Sequence, residues 1–211
     1  MPAHAVDIVA VSCHYSGRTA VDAVDLKVAP GEHVALTGTN GSGKSTLLRA
    51  VLGLHPGTRG RIEVGGRGAR RPAEWAARRR EVAWIPQKQT GGRFPLKVAE
   101  LLVSSGAAAR AGEAARDLGL ADLLDRPVGT LSGGQLQRAY LARALGQLAA
   151  GAGVLLADEP TAALDFDGQE RVAALLGGLE VTVLVATHDQ AVVGACERTV
   201  QMAAGRLREL A

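Results

Sequence analysis

The chain has 211 residues, 47% of them hydrophobic, which is enough to bury one good core with a small appended lobe. Its 24 Lys and Arg against 21 Asp and Glu leave a net charge of +3, too little by itself to predict a nucleic-acid partner. No apolar run approaches the roughly 20 residues that cross a bilayer, and residues 1–10 lack the features of a signal peptide. We therefore expect one cytosolic globular unit, for which any membrane role depends on a partner.

Strands alternate with helices along the chain, a pattern typical of an α/β fold with a mainly parallel sheet. Two β-rich segments come first and should form an antiparallel edge, and a short buried strand then leads through a loop into a helix. Between Gln87 and Leu131 the composition shifts toward Ala, Arg and Gly with helical spacing, which predicts an inserted helical lobe. The predicted strands cover residues 6–11, 21–28, 33–37, 61–64, 82–85, 154–157 and 181–186, and the first helix runs from Gly43 to about Leu52.

The loop before that helix fits the pattern of a phosphate-binding loop. Its glycines let backbone N–H groups approach a polyphosphate, Lys44 reaches the outer phosphates, and the Ser45 hydroxyl meets Mg²⁺. A nucleoside polyphosphate and Mg²⁺ are therefore the expected ligands. The predicted nucleotide-binding residues are Gly38, Asn40, Gly41, Ser42, Gly43, Lys44, Ser45 and Thr46.

Six arginines crowd the segment between the first helix and the strand at 82–85. A basic patch for nucleic acid is one interpretation, but Trp75 is the only aromatic residue interleaved with them, and single strands bind on aromatic platforms. We favour a solvated helix face and predict no nucleic-acid partner. The arginines are Arg67, Arg70, Arg71, Arg78, Arg79 and Arg80.

A second motif restricts the class of nucleotide-binding protein to which the chain can belong. Its sequence is Leu131-Ser132-Gly133-Gly134-Gln135. Ser132 is a good N-cap, and the two glycines let the start of the following helix, at about 134–145, approach an anion closely. With this pentapeptide the chain resembles the ATP-binding cassette (ABC) ATPases over nearly its whole length. The resemblance implies one cassette, with a P-loop NTPase core at 1–86 and 136–211 and a helical subdomain at 87–135.

The resemblance further implies that two copies sandwich ATP. In the family the pentapeptide lies far from the phosphate loop of its own cassette, so each copy completes the site of the other, which indicates a head-to-tail homodimer. Asp165 belongs to the loop that crosses between subunits. The residues implied to contact ATP in trans are Ser132, Gly133, Gly134 and Gln135.

Asp158 and Glu159 follow the apolar strand at 154–157, the edge at which open α/β sheets place their ligands. Asp158 should hold Mg²⁺, mainly through water, and Glu159 should orient or deprotonate the attacking water. Phosphoryl transfer needs little covalent help, so positioning and charge neutralisation carry the rate. An acidic pair that merely ends a strand is the alternative. The Pro160-Thr161 that follows matches the family pattern and favours catalysis.

Three more residues take roles from the resemblance. His188 matches the switch histidine that touches the γ-phosphate, and Gln87 matches the glutamine that senses Mg²⁺ and water. Tyr15 lies where the family stacks an aromatic ring on adenine. A solvated loop amide and a packed strand-end ring are the alternatives for Gln87 and Tyr15. The remaining histidines, His4, His14, His33 and His55, are interpreted as ordinary residues.

The cargo is predicted from weaker patterns. Phe94-Pro95-Leu96-Lys97-Val98 is similar to a stretch common in ATPases of zinc, manganese and iron-chelate importers. The resemblance thus implies an ATP-hydrolysing subunit on the cytoplasmic side of the membrane, bound to a polytopic permease and served indirectly by an extracytoplasmic substrate-binding protein. Zinc is the first choice of cargo, and iron-siderophore, haem or cobalamin uptake follows. A non-transport ABC ATPase, such as one for iron–sulfur assembly, is the rival hypothesis.

Overall fold

The computed structural model describes residues 2–15, 17–87 and 95–209. The strands are Val6–Tyr15 (β1), Arg18–Val28 (β2), His33–Thr37 (β3), Thr58–Val64 (β4), Val82–Ile85 (β5), Val154–Asp158 (β6), Thr182–Ala186 (β7), Arg198–Ala203 (β8) and Arg206–Glu209 (β9). The helices are Lys44–Val51 (α1), Pro72–Glu81 (α2), Val98–Val103 (α3), Ala108–Asp117 (α4), Gly133–Ala149 (α5), Phe166–Gly177 (α6) and Gln190–Gly194 (α7).

The main sheet has six strands in the order β5-β6-β7-β3-β8-β9, and every neighbouring pair except β8 and β9 is parallel. Strands β6 and β7 are buried at every position. Their near-continuous apolar sequences follow from this burial, because helices cover both faces of a parallel sheet. The chain thereby folds as the predicted α/β architecture.

The predicted antiparallel edge is a separate sheet with the order β2-β1-β4. Here β1 pairs antiparallel with both neighbours, and its buried positions alternate with more exposed ones in the first half of the strand. The pairing with β4 shifts register between Val9 and Ser12, next to Ala10, whose φ is 49°. This irregularity is a β-bulge that redirects the side chains of the second half of β1.

The helical lobe has its own apolar cluster, built from α3, α4 and one face of α5. Residues Ala139 and Ala142 of α5 belong to this cluster, whereas Leu141 and Leu148 of the same helix pack against the main sheet. Helix α5 therefore joins the lobe to the core. The predicted division at residue 135 falls inside this helix, which is also longer than the predicted 134–145.

Two strands were not predicted. Strand β8 pairs in parallel with β3, and strand β9 pairs antiparallel with β8. Along β8 buried Val200 and Met202 alternate with more exposed residues, a weaker apolar pattern than that of β6. No clear apolar run therefore marks β8 in the sequence.

The prediction of a solvated helix face is right for Arg79 and Arg80 and wrong for Arg78, which is 2% exposed; the exposed Arg67, Arg70 and Arg71 precede α2. The Arg78 guanidinium donates hydrogen bonds to the carbonyls of Val51, Ile62 and Arg67, and lies 5.7 Å from the centroid of the Trp75 ring. The Val51 carbonyl ends α1 and has no partner inside its helix, so the buried guanidinium supplies one.

Within the described ranges, no helix combines the length and apolar character that crossing a membrane requires.

Candidate functional site

The site lies where four parallel strands end. Since β5, β6, β7 and β3 are neighbours and run in one direction, their carboxyl ends share one edge of the sheet. Gln87, Glu159 and His188 follow β5, β6 and β7, and the phosphate loop follows β3. The resulting cleft of about 360 Å³ is lined by Ala20, Asn40, Gly41, Ser42, Gly43, Lys44, Ser45, Thr46, Gln87, Asp158 and Glu159.

The phosphate loop needs glycine at two positions for space and for backbone conformation. Gly38 has a φ of 138°, and a Cβ there would lie 2.1 Å from the Met202 carbonyl oxygen. Gly43 has a φ of 112°, and its Cβ would lie 2.3 Å from the Ala20 carbonyl oxygen. Any larger residue would force the loop out of this shape, in which its backbone leads directly into the N-terminus of α1.

Lys44 is the first residue of α1 and is 6% exposed. Its Nζ donates to the carbonyl oxygens of Gly38 at 2.6 Å and Thr39 at 3.3 Å. The loop therefore holds the ammonium over its own backbone. A polyphosphate in the cleft would meet a positive charge at the positive end of a helix dipole, the arrangement that proteins use to bind anions.

Side-chain oxygen atoms of Ser45, in α1, and of Asp158, at the end of β6, lie close together. The Ser45 Oγ donates to Asp158 Oδ1 at 3.0 Å, and Asp158 Oδ2 is buried with no hydrogen-bond partner in the described part of the chain. Burial raises the pKa of Asp158, and the hydrogen bond from Ser45 opposes this rise. A divalent cation would favour the charged carboxylate, and oxygen is the ligand that Mg²⁺ prefers. These residues therefore fit Mg²⁺.

Glu159 is buried with a left-handed backbone, at a φ of 51°. Its N–H donates to the Ala186 carbonyl at 2.8 Å, which ties the residue to β7. The Nδ1 of exposed His188 lies 2.9 Å from Glu159 Oε2, although the angles do not make this contact a hydrogen bond. The backbone of Glu159 is thus fixed, and the residue lines the cleft with a carboxylate oxygen that accepts no hydrogen bond from the described part of the chain.

Tyr15 lies at the end of β1 and is 45% exposed. It is not one of the residues that line the phosphate-loop cleft; its ring packs against His55 at a centroid distance of 4.4 Å. His55, interpreted from the sequence as ordinary, is therefore next to a predicted site residue. No sequence signal marked this contact, because residues 15 and 55 meet only through the pairing of β1 with β4.

The pentapeptide opens α5 with a reciprocal cap. The Gln135 N–H donates to Ser132 Oγ at 3.3 Å, and the Ser132 N–H donates to Gln135 Oε1 at 3.0 Å. Asp165 caps α6 by accepting from the Gly168 N–H at 3.0 Å. Ser132, Gly133, Gly134 and Asp165 line a second cleft, of about 740 Å³, whose described lining shares no residue with the phosphate-loop cleft.

A family model for the ABC transporter matches residues 21–162. The chain belongs to the ABC transporter family. The match covers both the phosphate loop and the pentapeptide, so the predicted family is confirmed, and with it the class of enzyme, an ATPase.

Individual relatives agree with this assignment. The aliphatic sulfonates import ATP-binding protein of Pseudomonas fluorescens is 39% identical over 189 residues, which are 88% of this chain and 68% of that protein. The zinc import ATP-binding protein of Pseudomonas entomophila is 36% identical over 186 residues, which are 85% of this chain and 66% of that protein. The chain thus spans about two thirds of the length of these relatives.

Solved structures confirm the fold. A bacterial ABC transporter cassette, solved as a dimer, has a TM-score of 0.85 and 27% identity, and the match covers 98% of this chain and 99% of that one. The same cassette was solved as a dimer in a post-hydrolysis state bound to ADP and phosphate. The predicted fold class is therefore correct.

Proposed function

We propose that this ABC cassette is the ATP-hydrolysing subunit of an importer and that it works as a head-to-tail dimer. One observation carries the proposal: the phosphate-loop cleft and the pentapeptide lie in separate clefts of one chain. Each cleft holds half of the groups that an ATP site of this kind uses. A second copy turned end to end supplies the missing half to both sites at once.

Binding of ATP depends on the first half-site. The N–H groups of the loop and the Lys44 ammonium take the phosphates, and the Tyr15 ring takes the adenine by stacking. In trans, Ser132 and the backbone of Gly133 and Gly134 at the start of α5 approach the γ-phosphate from the partner copy. The exposed cap of that helix suits this role, because its first turn faces an open cleft.

Hydrolysis depends on the residues that end β6 and β7. Ser45 and Asp158, with Gln87 nearby, would hold Mg²⁺, and the bound ion would neutralise charge on the phosphates. Glu159 accepts a proton from the attacking water, and its backbone hydrogen bond to Ala186 holds the residue at the end of β6. We expect His188, whose Nδ1 lies 2.9 Å from that carboxylate, to touch the γ-phosphate.

The cycle follows from which contacts depend on the γ-phosphate. Contacts from Ser132 of one copy and His188 of the other favour a closed dimer while ATP is intact. Their loss after hydrolysis favours opening, and the difference in binding free energy between the two states is available as work. Asp165, exposed beside the pentapeptide cleft, lies where a loop can cross to the partner.

We propose that the helical subdomain at 87–135 transmits this work to a polytopic permease on the cytoplasmic side of the membrane, with an extracytoplasmic binding protein delivering the cargo. Phe94, the first residue of the segment at 94–98, lies outside the described residues. Of the described neighbours, Pro95 is exposed, whereas Val98 is buried in the lobe cluster. Lys97, between them, is also exposed.

Zinc stays our first choice of cargo. The segment at 94–98 and the zinc import relative favour it, while the similarly related sulfonate import protein names a different substrate class. Uptake of radiolabelled Zn²⁺ in cells that lack this chain, compared with uptake of haem and of an alkanesulfonate, identifies the cargo. Normal uptake of all three, together with loss of an iron–sulfur enzyme activity, would support the assembly ATPase instead.

Phe166 offers a test of the dimer that leaves the catalytic groups untouched. Its side chain is 72% exposed directly after Asp165. If the partner buries this ring, Phe166→Ala should weaken ATP-dependent dimerisation about 10-fold or more. Sedimentation equilibrium with ATP measures the effect, with Val103→Ala as the control for an exposed apolar residue on the lobe. An unchanged dimer constant would place Phe166 outside the interface.

A further inference from the structure

The ring pair at the end of β1 joins an exposed tyrosine to a buried histidine. The centroids of Tyr15 and His55 are 4.4 Å apart and the ring planes are inclined at 88°, an edge-to-face geometry that aromatic pairs favour. His55 is 5% exposed, and Tyr15 is 45% exposed. The imidazole thus supports the phenol ring from within the protein and leaves part of that ring open to solvent.

The surroundings fix the imidazole. Thr58 Oγ1 donates to the His55 carbonyl at 2.9 Å and lies 3.4 Å from its Nδ1. A Cβ on Gly57 would come within 2.6 Å of the His14 carbonyl oxygen and 3.2 Å of His55 Cε1, so only glycine leaves room for this packing. Cys13 pairs with Thr58 in the sheet, which brings the next two residues of β1 to the His55 loop.

A buried histidine at this position is less favourable in free energy than an apolar side chain that would only fill the space. Its Nε2 is buried without a hydrogen-bond partner in the described part of the chain, and such a group costs free energy. Burial, together with the nearby charges of His14 and Arg49, lowers the pKa of His55, so the ring is neutral. An aliphatic side chain would fill the space without the unpaired nitrogen, but it would not offer an aromatic edge.

His55 follows the end of α1 that lies opposite to the phosphate loop. Helix α1 begins at Lys44 in the phosphate loop and ends at Val51, four residues before His55. With 8 residues it is about 12 Å long. The ring pair and the phosphate loop therefore lie toward opposite ends of α1.

We propose that His55 is a positioning residue that fixes the Tyr15 ring as the platform for the nucleobase. This inference rests on the proposed ATP site. Without the imidazole the phenol ring samples other rotamers, and the apparent affinity falls by the fraction of molecules in which the ring is correctly placed. Only the contribution of the base to the binding free energy should change. Among the described residues, no recorded contact joins His55 to the phosphate loop.

The test compares a ligand with a base and one without. His55→Leu should weaken Mg·ATP binding about 3- to 10-fold, the range expected for an aromatic pair, and leave binding of Mg·triphosphate unchanged. His55→Phe, which keeps a ring and removes the unpaired nitrogen, should bind ATP like the parent chain. Leu54→Ala, at an exposed neighbour in the same loop, is the matched control. Isothermal titration calorimetry gives each dissociation constant.

A double-mutant comparison with Tyr15 shows whether His55 acts by positioning the Tyr15 ring or affects ATP binding independently of it. In a Tyr15→Ala background, His55→Leu should cause no further loss of ATP affinity. Additive losses, unchanged ATP affinity of His55→Leu, failure of His55→Phe to restore binding, or equal loss of ATP and triphosphate would each overturn the proposal. Failure of the proposed ATP site itself looks different, because the parent chain would then bind neither ligand.

Discussion

Replacing Glu159 with Gln should leave ATP binding intact and slow hydrolysis by about 10²- to 10⁴-fold, the usual contribution of a general base. Glutamine keeps the shape of the side chain and removes the carboxylate that handles water. The backbone hydrogen bond to Ala186 does not involve the side chain, so the position of the residue is retained. Phosphate release measures the rate, and equilibrium dialysis with labelled ATP measures binding.

The same variant should accumulate as a dimer with ATP, because the contacts that depend on the γ-phosphate persist. Gel filtration with and without ATP detects this species. Glu113→Gln is the control: this carboxylate forms only an exposed ion pair with Arg110 on α4, which contributes little. A folded Glu159→Gln chain that stays monomeric with ATP would contradict the proposed sandwich, whatever its hydrolysis rate.

The sequence was sufficient for the parts of the fold that are buried on both faces. Strands β3 and β5 have the bounds expected from their apolar runs, and β6 and β7 differ by one residue. The rule that parallel strands end at one edge then predicts that the phosphate loop, Asp158 and Glu159 meet. Their juxtaposition in one cleft agrees with this reasoning.

The features that could not be predicted from the sequence depend on contacts between residues that lie far apart in the chain. A shift of one residue in strand pairing exchanges the two faces of a strand, so the bulge near Ala10 makes the alternation in early β1 useless for placing Tyr15. The contact with His55 follows from that shifted register. Arg78 is a similar case, since its burial is explained by carbonyl groups at the end of α1 and in β4, which no local pattern reveals.

Replacing Lys44 with Ala should raise the dissociation constant for ATP about 10- to 100-fold, the loss expected for hydrogen bonds to a charged group. The ammonium is nearly buried and already aimed across the loop by the carbonyls of Gly38 and Thr39. Binding therefore needs little rearrangement of this side chain, and its removal takes away the main positive partner of the phosphates. Direct titration with Mg·ATP measures the change.

A second variant separates lost charge from a collapsed loop. Lys44→Met keeps most of the stem that fills the space beside Gly38, so it should lose as much affinity as Lys44→Ala if the ammonium is what matters. Lys97→Ala, which removes an exposed lysine paired with Asp125, should bind ATP like the parent chain. Parent-like affinity of Lys44→Met would show that the phosphates do not depend on this charge. In that case the loop N–H groups and the dipole of α1 would have to account for phosphate binding.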